Sequence, residues 1–243
     1  MRHQTECRFA KRCAAALILA ALLLVTSSAR GQQTNVTRFD TFVGYGFLDS
    51  PHVSLFENGL AFQIGVRPTT WYSLGFDYSL SAGDLTLTPD LLTPKLQAEL
   101  GALLGQAAAG LSVGAHSRTQ TFAAGPQLAY RHFQKVTLFV RPNCGIIKEL
   151  ATAKPIGALA TGVVGALEQS GLLAANGQKS DWTPFYGFGG GVDLLFGHHF
   201  GLRVQGDLVR DHLFDDLLKD PRWTTRFSVG PLFNFGKNIV KKK

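Results

Sequence analysis

The chain has 243 residues, 45% of them hydrophobic, with 24 Lys and Arg against 17 Asp and Glu. Five basic residues (Arg2, Arg8, Lys11, Arg12, Arg30) and one acid (Glu6) fall in the first 31 positions, which leaves 19 basic against 16 acidic residues beyond them, net +3. So small a surplus does not mark a nucleic-acid binder, and Cys144, the only cysteine after position 31, excludes an internal disulfide there.

The chain opens on a basic stretch followed by an almost wholly apolar run from Cys13 to Val25, then the small residues Ser27, Ser28, Ala29 and Gly31. A run of about 13 residues is short for a bilayer-spanning helix and suits the core of a secretory signal. The reading is a signal peptide over 1–31, with cleavage after Ala29 or Gly31, a barrel domain over 32–235 and a basic periplasmic tail over 236–243. Ala-Lys-Arg before Cys13 does not suit a lipoprotein cleavage site.

Beyond the leader no apolar run approaches 18 residues, so no helix is expected to span a membrane. Alternating segments follow instead, at 41–48, 60–67, 71–81, 119–130, 136–145, 183–196, 200–210 and 223–235. Successive strand residues face opposite ways. In 71–81, Tyr72, Leu74, Phe76, Tyr78 and Leu80 share one face, and Ser73, Gly75, Asp77 and Ser79 the other. An even number of strands with a greasy outside and a wet inside predicts an all-β fold: an eight-stranded antiparallel up-and-down transmembrane β-barrel. The connections 68–70, 131–135 and 197–199 are tight, whereas 48–59, 82–118, 146–182 and 211–222 are long. Short periplasmic turns and long outer loops place both termini in the periplasm.

Aromatic residues at Tyr45, Phe47, Trp71, Tyr72, Trp182, Phe185, Tyr186 and Trp223 are expected to form interfacial girdles. The inward face is expected to carry an ion network of Arg67, Asp77, Arg141, Asp193, Arg203, Asp207 and Arg226, with Gln63, Gln127, Asn143 and Gln205. Eight strands enclose just enough room for their own side chains, so this set predicts a plugged lumen rather than a general-diffusion pore. Gly187, Gly189 and Gly191 lack the Lys-Ser/Thr of a phosphate cradle and leave room for large inward neighbours.

Two long loops carry helical spacing. Leu92, Leu96, Leu100 and Leu103/Leu104 make one stripe, with Thr88-Pro89 or Thr93-Pro94 as its start; Ile156, Leu159, Val163, Val164 and Leu167 make another. The expectation is two short helical segments that pack on each other or cap the barrel mouth, or else an exposed surface for a partner.

The end of the last strand, Ser228-Val-Gly230-Pro-Leu-Phe233-Asn-Phe235, fits the polar-x-Gly-x-x-aromatic-x-aromatic pattern of the β-signal in Gram-negative outer-membrane proteins. On this ground the chain resembles the bacterial outer-membrane β-barrel family, in particular small eight-stranded barrels of OmpA and OmpX type. The resemblance implies a location in the bacterial outer membrane and insertion by the barrel-assembly machinery, through Ser228, Gly230, Phe233 and Phe235. Family members often stop at the terminal Phe; this sequence continues to Lys243.

Asp211-His212 with Asp215 and Asp216 resembles the acid–His rim of omptin-type proteases, but those barrels have ten strands. His116-Ser117 and His132 are the candidates for a lipid-modifying site, with no oriented Ser/His/acid set legible around them. His198-His199 lacks the spacing of a metal site. No catalytic residue, metal or cofactor is assigned. The expected protein is a monomer, not an enzyme, with a structural or surface-interaction role. Its partners are outer-membrane lipids, and loops 82–118 and 146–182 are candidates to hold a surface ligand. The alternatives are an outer-membrane lipid-modifying enzyme and a narrow small-solute channel or transporter.

Overall fold

The computed structural model describes residues 33–219 and 222–240, so the signal peptide expected over 1–31 lies outside the described residues. Eight antiparallel strands pair in sequence order and close on themselves. They are β1 (Thr37–Ser50), β2 (Leu55–Val66), β3 (Tyr72–Leu87), β4 (Val113–Tyr130), β5 (Val136–Lys154), β6 (Gln178–Leu195), β7 (Phe200–Asp211) and β8 (Arg222–Asn238). Two helices, α1 (Pro94–Leu104) and α2 (Ala158–Gln169), sit in the two longest connections.

Closure is made by β1 against β8, with Phe39 opposite Phe235, Tyr45 opposite Val229 and Asp49 opposite Thr225. The two backbones approach so closely that a Cβ on Gly230 would stand 2.2 Å from the Val43 carbonyl oxygen and 2.4 Å from the Gly44 Cα. Within the β-signal, Ser228 and Gly230 therefore face inward and Phe233 and Phe235 outward. β8 runs on to Asn238, and the Ile239 N–H donates to the Val36 carbonyl at 2.8 Å. Positions 236–238, expected in the basic tail, thus belong to the last strand.

Most strands extend past their expected outer ends. β3 reaches Leu87, β4 starts at Val113, β5 reaches Lys154 and β6 starts at Gln178. The loops expected at 82–118 and 146–182 shrink to 88–112 and 155–177, and the first outer connection, expected to be long, is the four-residue turn 51–54. The cause is a change of solvent along each strand. On β5, Leu138, Val140, Pro142, Cys144 and Ile146 face outward, followed by Lys148, Leu150, Thr152 and Lys154, while inward-facing Arg141 and Asn143 give way to Ile147, Glu149 and Ala151. On β3 the apolar residues switch from even positions (Tyr72 to Leu80) to odd ones (Leu85, Leu87), and inward-facing Leu85 is buried. Below this level the outside is apolar and the inside carries most of the charged and amide side chains; above it charged residues appear on the outside and Leu85, Ala115 and Ile147 turn inward. The eight residue steps from Leu138 to Ile146 make roughly 27 Å along the strand and, at a tilt of about 40°, roughly 20 Å along the barrel axis. That is close to the band of about 25 Å that a transmembrane barrel shows to lipid.

Candidate functional site

The lumen is built in layers. At the periplasmic end Arg203 of β7 is wholly buried and binds Asp193 of β6 through two bonds, Nε to Oδ1 at 2.7 Å and Nη2 to Oδ2 at 2.9 Å. It also reaches Asp40 of β1 at 3.2 Å and lies over the Phe139 ring at 4.9 Å. Arg67 joins from below, 3.3 Å from the other Asp40 oxygen and 2.9 Å from the Asn234 side-chain oxygen.

One layer higher, Arg141 of β5 bridges the lumen. Its Nη1 donates to both carboxylate oxygens of Asp77 on β3 at 2.9 Å, and its Nε and Nη2 donate to Asp207 on β7 at 2.9 and 2.7 Å. Strands β3 and β7 stand on opposite sides of an eight-stranded ring, so one guanidinium ties the two walls together. Asn143 and Arg226 complete the Asp207 shell at 3.2 and 3.3 Å. Gly189 makes room for that carboxylate, since a Cβ there would fall 1.9 Å from its Oδ1. All seven charged residues singled out in the sequence face the lumen in this network. Asp40 joins them; it lies one residue before the expected start of the first strand, which is why the pattern missed it. With it, four Arg face four Asp.

Above Arg226, which lies 5.5 Å from the Phe185 ring, apolar side chains fill much of the interior, around a fully buried Glu57 that accepts from Ser81 Oγ at 2.6 Å. Phe185 is 3% exposed and belongs to a core with Leu55, Leu85, Ile147, Val209 and Leu213. It is not part of an aromatic girdle: its odd position on β6 points it inward, next to outward-facing Trp182 and Tyr186. Tyr45, Phe47, Trp182, Tyr186 and Trp223 lie at the outer edge of the apolar belt, and Trp71 and Tyr72 at the periplasmic edge.

The outer mouth holds a largely apolar, partly open cavity of about 150 Å³ between the barrel wall, the two helices and the loop after β7. The helices close it together: Leu100 and Leu104 of α1 pack against Ala160 and Val163 of α2. α1 begins at Pro94, behind Thr93, rather than at Pro89, which opens a short 3-10 turn. In the second stripe Ile156 falls before the helix and is exposed, while Val163 and Val164 are buried. The segment before α1 is stitched to the loop after β7 by a bridge between Leu92 and Leu218 and by Thr93 N–H donating to Leu217 O at 2.9 Å. That loop drops Leu213, Phe214 and Leu218 into the mouth. It is pinned by Asp181, which accepts from the Phe214 N–H at 2.5 Å, and by an ion pair between Lys179 and Asp216. Glu149 accepts from Ser117 Oγ at 2.7 Å and Asp211 from Thr224 Oγ1 at 3.2 Å; both acids line the cavity.

The residues weighed for catalysis do not converge. His116 faces outward and bonds Asp84 at 2.9 Å, whereas Ser117 faces inward. The two hydrogen bonds to Asp84, from His116 first and then Lys154, hold its carboxyl below the usual range. His212 pairs with Asp215 at 3.4 Å on the surface, apart from buried Asp211. His132 stacks near Tyr130, and His199 bonds the Asn234 carbonyl at 2.9 Å.

No protein-family model matches the sequence, and no curated protein matches it. Its fold matches that of solved barrels. Neisserial surface protein A is 9% identical, covers 81% of this chain and 96% of its own, and superposes with a TM-score of 0.50. Ail of Yersinia pestis, in complex with the heparin analogue sucrose octasulfate, is 11% identical over 82% of this chain and 99% of its own, with a TM-score of 0.47. OprG of Pseudomonas aeruginosa is 8% identical over 86% and 100%, with a TM-score of 0.43. At such identities the likeness speaks to the fold alone, that of the small outer-membrane barrels.

Proposed function

We propose that this outer-membrane β-barrel is a non-conducting protein with a structural or surface-interaction role, and that its capped outer mouth is the part that works. The Arg141 bridge between Asp77 and Asp207 carries this reading, because it ties opposite walls through a lumen with no width to spare. The purified barrel in planar bilayers should give no steady ohmic conductance; a steady ohmic trace would overturn the proposal. The role is non-catalytic, and lipid A from a deletion strain should have an unchanged mass spectrum.

The apolar cavity favours a second reading, in which the mouth takes a small apolar solute from outside. An engineered apolar cavity of about 150 Å³ in another protein holds benzene. Benzene should then raise the unfolding temperature of the barrel. An unchanged temperature at benzene saturation would remove this reading and leave the first one standing.

A further inference from the structure

Just above the lipid-facing belt, the outer wall of β4–β6 carries two cations that make no ion pair among the described residues. Gln120, Lys148 and Trp182 stand opposite one another on neighbouring strands. Arg118 lies two residues from Gln120, diagonal to Lys148, a separation of roughly 7–8 Å that two long side chains close easily. Arg118 and Lys148 are exposed, and neither side chain has a hydrogen bond or ion pair among the described residues. Asp84, diagonal to Arg118 across β3 and β4, instead pairs with Lys154 at 3.2 Å and shares a hydrogen bond with His116 at 2.9 Å. Directly below lie Phe122 and Ile146, 44% and 45% exposed, with Pro184 beside them, all facing lipid. Trp182, 66% exposed, stands at the level where amphipathic rings meet headgroups.

We propose that this face binds one phosphorylated lipid of the outer leaflet. Arg118 and Lys148 grip its phosphate, and its acyl chains lie on Phe122, Ile146 and Pro184. The guanidinium offers a planar pair of donors to a phosphate and the ammonium a compact second charge. Charge complementarity chooses the partner: an uncompensated Arg–Lys pair at headgroup height, on top of an apolar wall, matches a molecule that is anionic above and hydrocarbon below. The site lies outside the sheet, so the proposal is independent of what the lumen or the mouth does.

The test uses barrel purified from membranes and placed in phosphatidylcholine nanodiscs doped with bisphosphorylated lipid A, with bound lipid counted by native mass spectrometry. Wild type should retain one lipid A per barrel, and dephosphorylated lipid A should not be retained. R118Q/K148Q should weaken retention roughly 30-fold, from the usual contribution of two cations at a membrane surface. K135Q, in a periplasmic turn, should leave retention unchanged, and R118K/K148R should restore most of it. Heat-modifiable gel migration reports that each variant is folded. Retention in R118Q/K148Q within threefold of wild type would overturn the proposal, as would equal retention of dephosphorylated lipid A. Displacement of the lipid by millimolar inorganic phosphate would reduce the site to one for free anions and overturn it too.

Discussion

Replacing Arg141 with Met tests whether the lumen is held by its charges. Arg141 makes four hydrogen bonds to two carboxylates, and the loss falls unequally on them. Asp207 keeps Asn143 at 3.2 Å and Arg226 at 3.3 Å. Asp77 keeps no side-chain partner among the described residues and is 9% exposed. Stripping one member from a buried ionic set costs roughly 3–5 kcal/mol, most of it the uncompensated charge left behind. Most of the penalty should therefore sit on Asp77, and removing that charge as well should relieve it. R141M/D77N should be roughly 1–3 kcal/mol more stable than R141M. D77N alone should cost less than R141M, since Arg141 would still hold Asp207. Urea unfolding in phosphatidylcholine vesicles, followed by the fluorescence of Trp71, Trp182 and Trp223, gives all four stabilities of the cycle. If R141M unfolds with the wild-type midpoint, or if the two single costs simply add, the bridge is not a coupled unit and the reasoning fails.

Gly230→Val should keep β8 from closing on β1 at a cost on the order of 3 kcal/mol or more, because even a Cβ there meets backbone at 2.2 Å; a native heat-modifiable band from this variant would refute the close approach. Ala115→Leu adds three carbons at a wall of the outer cavity, so its stability should stay within about 0.5 kcal/mol of wild type or rise, whereas a filled mouth would lose roughly 1–3 kcal/mol. Asp84 titrates below its ordinary value because His116 and Lys154 bond its charged form. The stability this adds is complete above about pH 3.9 and is lost as pH falls through the lowered native value. Lys154→Gln should move the carbon-13 midpoint of the Asp84 carboxyl upward, and an unmoved midpoint would mean that Lys154 contributes nothing.

Period-two alternation made the membrane-embedded half of the fold readable. From Tyr72 to Leu80, every second side chain meets lipid and the others meet the polar lumen, so pattern and environment agree residue by residue. The same logic placed Arg141, Arg203 and Asp207 inside without any knowledge of their partners. It faltered where the solvent changes. At Leu85, Ala115 and Ile147 the apolar residues move to the opposite phase, and a reader following one phase sees the strand end there. Asp40 was lost for a smaller reason, since Thr37–Asp40 holds no alternation strong enough to open a strand. Phe185 was misplaced because aromatic content near a strand end marks a girdle only when its parity is also outward. The cavity could not be read at all: it is made by Leu55, Leu96, Val163 and Leu213, which come from four separate connections or strand ends and meet only in space.

The change of polarity along the strands explains how one sheet can serve two environments. At lipid depth the outside is already apolar, and the narrow lumen satisfies its inward polar groups among themselves around a few buried apolar side chains, Phe42, Phe139 and Leu232. The Arg141 and Arg203 layers supply that satisfaction and leave the lumen closed. Beyond the headgroups water bathes the outside, and the same eight strands gain from an apolar interior, as any soluble sheet does. Leu85, Ile147, Val209 and Phe185 begin that core, and α1, α2 and the loop after β7 finish it, as caps on an otherwise open ring. The cap is thus demanded by the strand extension: strands that rise above the membrane with Leu and Ile facing inward leave those faces wet unless something covers them. Shortening β4 and β5 to the level of Lys148 should then remove the need for the helices, and a barrel trimmed of 82–118 and 149–181 down to tight turns should still insert and migrate as a folded barrel. If the trimmed barrel fails to fold while the β1–β8 closure is intact, the outer core contributes to assembly, and the division of the barrel into two environments with separate stability is wrong.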